Sequence, residues 1–399
     1  MYTHLWQELS ATKPMVFLSG PRQAGKTTLA RSISSLYANN LYTNWDIQTD
    51  RKTILQNPYF YENLEQKDAS PALIIFDEIH KYRGWKNYLK GVYDKSHSTN
   101  RFLVLGSGRL DIFQKGGDSL AGRYYLAHVF PLTLAELGNR RKTFPAFWQN
   151  PLDLAPAGNL ENVWNNLKNL TGFPEPFFAA DVKNYQRWSN TYSHQLIRED
   201  IRDLTKIRDL DNVEALYYLL PSKISSPLSI ASLSRDLQVS FNTVKDWLAV
   251  FERLYLTFRI TPWTKKLSRV VTKEQKLYLM DYGQIPDPAA RYENMIAVEL
   301  LRAVSHWTNL GFGRFSLHFL RSKEGQEADF LIADRNTPRL IIEAKLSDPA
   351  ISAPLLKFQN MLNLPAVQLV DKKGVFRISA NGANRILTAS AADWLSQLP

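Results

Sequence analysis

The chain is predicted to be an α/β protein with several domains in series, and three observations support this fold class. Short apolar runs alternate with helical patterns over the first 137 residues, which is typical of a parallel sheet. Two short helical patterns and a basic loop follow between residues 229 and 280. Acidic side chains lie on a strand–turn–strand pattern near residues 328–345. The predicted segments are an α/β core (1–137), a helical extension or lid (138–220), a winged helix (221–283) and a C-terminal α/β domain (284–399).

A glycine-rich loop follows the first apolar run, residues 15–19, and precedes a helical pattern. Its sequence GPRQAGKT fits the phosphate-binding pattern G-x-x-x-x-G-K-[ST]. The glycines let backbone N–H groups face the phosphates, Lys26 supplies a charge for the β- and γ-phosphates, and the Thr27 hydroxyl can ligate Mg²⁺. ATP and Mg²⁺ are therefore the predicted cofactors. The residues predicted to contact the nucleotide are Gly20, Pro21, Arg22, Gln23, Ala24, Gly25, Lys26, Thr27 and Thr28.

Two further apolar runs end in polar residues that would complete a hydrolytic site. Residues 72–76 have the pattern of a buried strand and are followed by Asp77 and Glu78. Asp77 can hold the metal ion, and Glu78 can polarise the water that attacks the γ-phosphate. Ser107 follows a third strand pattern. It can hydrogen-bond the γ-phosphate or the attacking water, and the alternative is an ordinary turn serine.

Composition limits the classes of protein to consider. The 399 residues are 44% apolar, which is enough for two or three cores, and no apolar run approaches the roughly 20 residues of a membrane span. The chain has no cysteine, which excludes disulfides, thiolate zinc sites and a cysteine nucleophile. The first residues do not resemble a signal peptide, so we expect a cytoplasmic protein. The net charge of +11 favours a polyanionic partner such as DNA.

The segment after residue 228 has the pattern of a winged helix. Ser240 is a good N-cap for the second of two helices, and a basic loop lies between two strand patterns. In such a fold the second helix enters a groove of DNA and the loop contacts phosphates. The alternatives are a winged helix that serves only for packing and a solvated run of charges. The basic residues predicted to contact DNA are Lys245, Lys265, Lys266, Arg269 and Lys273.

Two strand patterns near the C-terminus bring acidic residues together. A hairpin centred near Asn336 would place Asp329 opposite Glu343, and strand alternation puts Lys345 on the same face as Glu343. Two carboxylates can hold Mg²⁺ beside a phosphodiester, and a lysine can orient the water. Asp329, Glu343 and Lys345 therefore predict a nuclease site. The alternative is a half-buried hairpin with exposed charges.

Taken together, these motifs resemble a known family. The chain is similar to prokaryotic AAA+ ATPases with a C-terminal DUF4143-type domain. The similarity lies in the glycine loop, in residues 76–81, 106–108, 119–123 and 172–174, and in the segments around Lys276, Asp281, Asp329 and Glu343. The resemblance implies an ATPase core, a winged helix and a C-terminal fold like that of PD-(D/E)XK restriction endonucleases.

The resemblance also implies roles for single residues. Arg123 would be an arginine finger that reaches the γ-phosphate of a neighbouring subunit, which implies a ring, most simply a hexamer. The alternative is that Arg123 only pairs with an acid nearby. Glu299 would supply a further metal carboxylate from the helix before the hairpin, and Glu293 competes for that role.

Two functions follow from these expectations. The first is an Mg²⁺-dependent ATPase that acts on DNA by binding, remodelling or translocation, with a nuclease-like C-terminal domain. The second is an ATP-driven protein switch in stress or defence signalling that does not act on DNA. Stimulation of ATP hydrolysis by DNA distinguishes them.

Overall fold

The structure is a computed structural model that describes residues 1–108, 120–153, 159–202, 207–264, 275–347, 349–382 and 384–399. The described residues form two compact units. The first comprises Met1–Pro131 and Arg253–Tyr255, and the second comprises Leu132–Glu252 and Leu256–Pro399.

The first unit is an α/β unit in which helices alternate with the strands of one parallel sheet. Its helices are α1 (Tyr2–Thr12), α2 (Lys26–Ser34), α3 (Gln48–Gln56) and α4 (Trp85–Ser96). Its strands are β1 (Met15–Ser19), β2 (Asn40–Asn44), β3 (Ala72–Asp77), β4 (Asn100–Leu105) and β5 (Tyr124–His128). The order in the sheet is β2-β3-β4-β1-β5, and every neighbouring pair is parallel.

The central strands of this unit are mostly apolar because they are covered on both faces, whereas the edge strands β2 and β5 are largely half-buried. β1 and β3 are buried at every position. On one face, Phe76 and Val104 pack in a cluster with Trp85 and Leu89 of α4. Continuous apolar runs are what a doubly covered parallel sheet requires, and this is why they were recognisable in the sequence.

The second unit contains most of the helices and a mixed sheet. Its helices are α5 (Leu134–Leu137), α6 (Phe144–Gln149), α7 (Glu161–Asn169), α8 (Pro174–Ala179), α9 (Val182–Gln195), α10 (Leu210–Leu219), α11 (Ile230–Asp236), α12 (Phe241–Arg253), α13 (Pro288–Asn309), α14 (Ala353–Leu362) and α15 (Ala391–Leu395). Its strands are β6 (Thr257–Pro262), β7 (Lys276–Leu279), β8 (Phe315–Arg321), β9 (Glu327–Asp334), β10 (Thr337–Lys345), β11 (Ala366–Val370), β12 (Phe376–Asn381) and β13 (Asn384–Ser390).

The eight strands of the second unit lie in the order β12-β13-β11-β10-β9-β8-β6-β7. β9 and β10 form the predicted antiparallel hairpin, in which Phe330 pairs with Ile342. On the far side of β10, the parallel strand β11 pairs Gln368 with Glu343. The polar ends of β9 and β10 therefore lie inside a wide sheet, where most side chains are buried.

The predicted boundary between residues 283 and 284 does not separate two units. β6 pairs with β7 in an antiparallel hairpin, but β6 also pairs in parallel with β8, at Thr261 and His318. The strands after α12 thus extend the C-terminal sheet instead of closing a module of their own. A local sequence pattern identifies a strand but not its partner, which is why four segments were expected where two units are found.

Two other local expectations need correction. The connection expected to be irregular from residue 139 to residue 160 contains a helix, α6, which begins at an N-cap formed by Thr143. The single helix expected from residue 182 to residue 204 consists of α9 followed by a π-helical segment, Leu196–Ile201. No helix within the described ranges is long and apolar enough to cross a membrane.

Candidate functional site

The predicted nucleotide site lies at one edge of the first sheet. β4 lies between β1 and β3, and all three strands are parallel. Their carboxyl ends therefore meet at the same edge, where ligands bind in open α/β sheets. The glycine loop follows β1, Asp77 ends β3 and Ser107 follows β4. The sheet order thus brings together three segments that are widely separated in the sequence.

The two glycines of the loop occupy positions that side chains would not tolerate. A Cβ atom on Gly20 would lie 2.0 Å from the carbonyl oxygen of Val129. Gly25 precedes α2 with φ 88°, in the left-handed region that favours glycine. The helix that begins at Lys26 directs its free backbone N–H groups toward the loop, which is the arrangement that binds phosphate.

Lys26 is buried and is held by the loop itself. Its Nζ donates to the carbonyl oxygens of Gly20, at 3.0 Å, and of Pro21, at 2.5 Å. Burial lowers the pKa of Lys26 to about 8, against the opposing effect of Glu78 and Asp77. A bound phosphate group would stabilise the charged form of Lys26 and raise its pKa, because it places negative charge beside a desolvated ammonium group.

Thr27 and Asp77 are in direct contact. The Thr27 hydroxyl donates to Oδ2 of Asp77 at 2.9 Å, and the Tyr42 hydroxyl donates to the same oxygen at 2.8 Å. Burial raises the pKa of Asp77, although both hydrogen bonds act in the opposite direction. Burial and the bond to Asp77 raise the pKa of Tyr42 to about 12. Tyr42 lies in no recognisable motif, and only the parallel pairing of β2 with β3 brings it to Asp77.

The donor set of Thr27 and Asp77 fits Mg²⁺. A hydroxyl and a carboxylate are hard oxygen ligands, and Mg²⁺ is usually held by one or two such protein groups together with phosphates and water. Thr27 and Asp77 would hold the ion, which would neutralise charge on the phosphates of a bound nucleotide.

Glu78 has an unusual backbone at the end of β3. Its φ is 56°, in the left-handed region that a non-glycine residue seldom adopts, and such strain is often found at functional sites. Its N–H donates to the carbonyl oxygen of Leu105. Its carboxylate lies 3.2 Å from Nζ of Lys81 and 3.5 Å from Nε2 of His80. The carboxylate thus has two neighbours that orient it, and it lies immediately beside Asp77, the predicted metal ligand.

Ser107 and Arg123 have well-defined surroundings. Ser107 is buried, and its carbonyl oxygen accepts a hydrogen bond from Ser19 Oγ at 3.5 Å. Arg123 forms a bidentate ion pair with Asp94, with distances of 2.7 and 3.2 Å from Nε and Nη2. Within the chain, Arg123 is therefore paired with an acid, which is the alternative to a finger role. Its action on a neighbouring subunit stays a prediction.

A second group of charged residues lies in the second unit. We call Glu293, Glu327, Asp329 and Glu343 the carboxylate cluster. The N–H of Asp329 donates to Oε2 of Glu343 at 3.3 Å, and the N–H of Ala344 donates to Oδ2 of Asp329 at 2.9 Å. Lys345 Nζ lies 3.0 Å from Oε1 of Glu343. The hairpin thus brings Asp329, Glu343 and Lys345 together as the register predicted.

Lys276 was not identified as a member of this site, yet its ammonium group lies among the carboxylates. Its Nζ is 3.3 Å from Glu293, 3.3 Å from Glu327 and 3.6 Å from Asp329. Burial lowers the pKa of Lys276, but these three carboxylates outweigh burial and raise it. Burial, Glu293 and Glu343 raise the pKa of Asp329. Among the described residues, no group of three or more His, Cys, Asp or Glu side chains is placed to hold a metal ion.

Glu299 does not belong to the carboxylate cluster, so the prediction that it is an extra metal ligand there is wrong. It is buried elsewhere in the second unit, where its Oε1 accepts a hydrogen bond from the N–H of Leu134 at 2.8 Å. Burial raises the pKa of Glu299 to about 8. Glu293 occupies the position by the hairpin instead. Six residues along a helix correspond to a rotation of about 240°, so the two glutamates point to different faces of α13.

Of the five basic residues predicted to contact DNA, one lies within the described residues. Lys265, Lys266, Arg269 and Lys273 lie outside the described residues. Lys245 is exposed on α12. The Ser240 hydroxyl caps that helix as predicted, since it accepts a hydrogen bond from the N–H of Thr243 at 3.1 Å.

Comparison with solved structures gives several distant similarities. The Walker-type ATPase PABY2304 of Pyrococcus abyssi is 15% identical, with 72% of this chain and 93% of that chain covered and a TM-score of 0.43. The ORC1 protein of Aeropyrum pernix in complex with DNA is 12% identical, with 71% and 86% covered and a TM-score of 0.32.

Sequence relatives span most of the chain. The uncharacterized protein Rv2008c of Mycobacterium tuberculosis is 22% identical over 398 residues, covering 96% of this chain and 83% of the relative. The uncharacterized protein MJ1637 of Methanocaldococcus jannaschii is 25% identical over 382 residues, covering 84% of this chain and 76% of the relative.

Two family models match separate parts of the chain. Residues 165–286 match a domain of unknown function, DUF8612, which is a different family from the DUF4143-type domain that the motifs suggested. The nuclease-like and winged-helix assignments stay predictions. Residues 12–138 match the family described as AAA domain. This similarity agrees with the glycine loop and the parallel sheet of the first unit.

Proposed function

We propose that this protein is an Mg²⁺-dependent ATP hydrolase. The observation that carries the proposal is the hydrogen bond between Thr27 and Asp77 at 2.9 Å, formed between the end of the glycine loop and the end of β3. It joins the predicted phosphate-binding and metal-binding segments at one edge of the sheet. Lys26 would bind the β- and γ-phosphates, Thr27 and Asp77 would hold the ion, and Glu78 would polarise the attacking water.

We further propose that the protein forms a ring of subunits and that ATP hydrolysis drives its action on DNA. The net charge of +11 supports a polyanionic partner. The basic residues predicted between β6 and β7, and Lys245 on α12, supply charges that suit a phosphate backbone. Arg123 supports assembly if it can leave Asp94 and contact the γ-phosphate of a neighbour. Cleavage of DNA is not part of the proposal, because Lys276 lies among the carboxylates.

ATP hydrolysis should be measured with Mg²⁺ alone and with duplex, single-stranded and four-way branched DNA. Lys26→Ala is expected to abolish nucleotide binding, whereas Glu78→Gln should bind ATP but not hydrolyse it. Glu62→Gln is the matched control, since Glu62 is an exposed glutamate of the same unit that pairs with Lys95. Normal hydrolysis by Glu78→Gln would show that Glu78 is not the base.

The DNA arm of the experiment decides between the two functions. Stimulation by one form of DNA would support a DNA-dependent ATPase and would name its substrate. Hydrolysis that no DNA changes, together with no detectable DNA binding, would favour the ATP-driven protein switch.

A further inference from the structure

The carboxylate cluster of the second unit is where a nuclease of the predicted type would bind a divalent metal ion. Four carboxylates converge there from α13, β9 and β10. Ionised carboxylates that converge in this way repel one another, and either a cation among them or a bound proton relieves the repulsion. In this chain a lysine supplies a cation.

The position between the carboxylates is taken by Lys276. Its side chain is 2% exposed, and its Nζ lies within 3.6 Å of oxygens of Glu293, Glu327 and Asp329. β7 holds the lysine in place through its antiparallel pairing with β6, in which Lys276 pairs with Ile260. The Tyr278 hydroxyl, two residues along the same strand, donates to Oε1 of Glu293 at 2.8 Å. The strand thus presents both a charge and a hydrogen-bond donor to the cluster.

The carboxylate oxygens already have partners in the protein. Oε1 of Glu343 accepts from the Ser352 hydroxyl at 3.2 Å and lies near Lys345, while Oε2 accepts from the N–H of Asp329. Oδ2 of Asp329 accepts from the N–H of Ala344. Oε1 of Glu327 pairs with Arg321 at 3.0 Å. A divalent ion would have to displace Lys276 and several of these bonds, so the residues present do not fit a metal ion.

We infer that the Lys276 ammonium group is a built-in counter-ion that replaces the divalent metal ion of the carboxylate cluster, and that the C-terminal unit therefore does not cleave DNA. Lys345, whose side chain is 40% exposed, is the lysine of this group that reaches solvent. This inference is independent of ATP hydrolysis by the first unit.

The test is binding of Mn²⁺ to the full-length protein without nucleotide, in an Asp77→Asn background that disables the site of the first unit. The Asp77→Asn protein is expected to show no saturable binding at millimolar Mn²⁺. Adding Lys276→Met should create a site for about one Mn²⁺ per chain, because removal of the ammonium group leaves the carboxylates without their central cation. Asp329→Asn added to that variant should abolish the new site.

Lys168→Met is the matched control, because Lys168 of the same unit is a lysine paired with one carboxylate, Asp371, at 2.8 Å. It should create no Mn²⁺ site. Thermal unfolding supplies a second measurement. Mn²⁺ should raise the unfolding temperature of the Lys276→Met variant, whereas it should not change that of the protein that retains Lys276. A folded Lys276→Met variant that binds no Mn²⁺ would overturn the inference.

The protein with Lys276 intact also tests the inference, even where Lys276→Met does not fold. Saturable Mn²⁺ binding by the Asp77→Asn protein that Asp329→Asn removes would overturn it. So would DNA cleavage in Mg²⁺ that Asp329→Asn abolishes. The inference would be supported if Mn²⁺ binding is equal and unsaturable in the Asp77→Asn protein with and without Asp329→Asn, and if neither protein gives DNA cleavage products.

Discussion

At the scale of the residue, Lys26 of the glycine loop is expected to make the affinity for ATP depend on pH. Lys26 must carry its proton to attract phosphates, and burial lowers its pKa to about 8 in the nucleotide-free protein. As the pH rises through this value, the free protein loses the charge that ATP needs, so the affinity for ATP falls. Between pH 7.5 and pH 9 we expect affinity to fall by roughly tenfold, in proportion to the protonated fraction. Titration with a fluorescent ATP analogue at both pH values measures this change.

The control for this prediction is Lys26→Met, which should bind ATP weakly at both pH values with little difference between them. A tenfold loss in that variant as well would assign the pH dependence to another group.

Glu299 makes a second prediction at the scale of the residue. Its pKa is raised to about 8 in the folded protein from an ordinary value of 4.5, so its carboxyl group stays protonated in the folded state while the unfolded chain releases the proton. The stability that this group contributes is present below about pH 4.5 and is lost as the pH rises through 8. Glu299→Gln keeps the neutral form, so its free energy of unfolding at pH 8 should exceed that of the wild type by about 4 kcal/mol.

Unfolding temperatures at pH 5 and pH 8 test this expectation. The two proteins should be close at pH 5, and the variant should unfold at the higher temperature at pH 8. A variant that is less stable than the wild type at both pH values would indicate that Glu299 is ionised and stabilising.

At the scale of the element, α13 is the helix that carries Glu293 and Glu299, the two candidates for an extra metal ligand. Its first turn is capped by Asp287, whose Oδ1 accepts a hydrogen bond from the N–H of Ala290 at 2.7 Å, and Pro288 follows at the first helical position. Asp287→Ala should destabilise the protein by about 1 kcal/mol, because it leaves that N–H without its cap. Asp287→Ser should retain most of the stability. Urea unfolding of the three proteins checks the order, and an equal loss for both variants would contradict it.

The elements also show how far local patterns can be trusted. Apolar runs located β1, β3 and the buried part of β4, because strand segments covered on both faces are mostly apolar. The alternation and turn of residues 328–345 predicted the hairpin of β9 and β10 and the approach of Asp329 to Glu343. The choice between Glu293 and Glu299 was wrong, because it depends on which face of α13 meets the hairpin.

At the scale of the whole molecule, the ring is the part of the proposal that requires several copies of the chain. If Arg123 acts on the ATP of a neighbour, Arg123→Ala and Lys26→Ala subunits are each inactive, but their mixture contains sites with both residues intact. Mixing equal amounts should therefore restore ATP hydrolysis to roughly a quarter of the wild-type rate. Asp94→Asn is the control for the ion pair, and it should retain hydrolysis. A mixture that stays inactive would indicate that Arg123 serves only its pair with Asp94.

The positive charge of the molecule predicts that DNA binding weakens as the salt concentration rises. Each lysine that contacts a phosphate contributes about one unit to the slope of log affinity against log salt. Lys265→Gln with Lys266→Gln should weaken binding to all DNA sequences alike and reduce this slope by about two. Fluorescence anisotropy across a series of salt concentrations measures the slope. An unchanged slope would count against a role of this loop in DNA binding.

The sequence by itself determined which segments of the first unit form the predicted nucleotide site. The glycine loop, Asp77 and Glu78 are each recognisable from neighbours in the chain, because strand, loop and helix follow one another within a few residues. Only the tertiary structure decided which distant residues join them. Tyr42 reaches Asp77 through the pairing of β2 with β3, and Lys276 enters the carboxylate cluster because β7 belongs to the C-terminal sheet. Which strands pair in a sheet depends on packing across the whole fold, so a local sequence pattern does not predict the pairing.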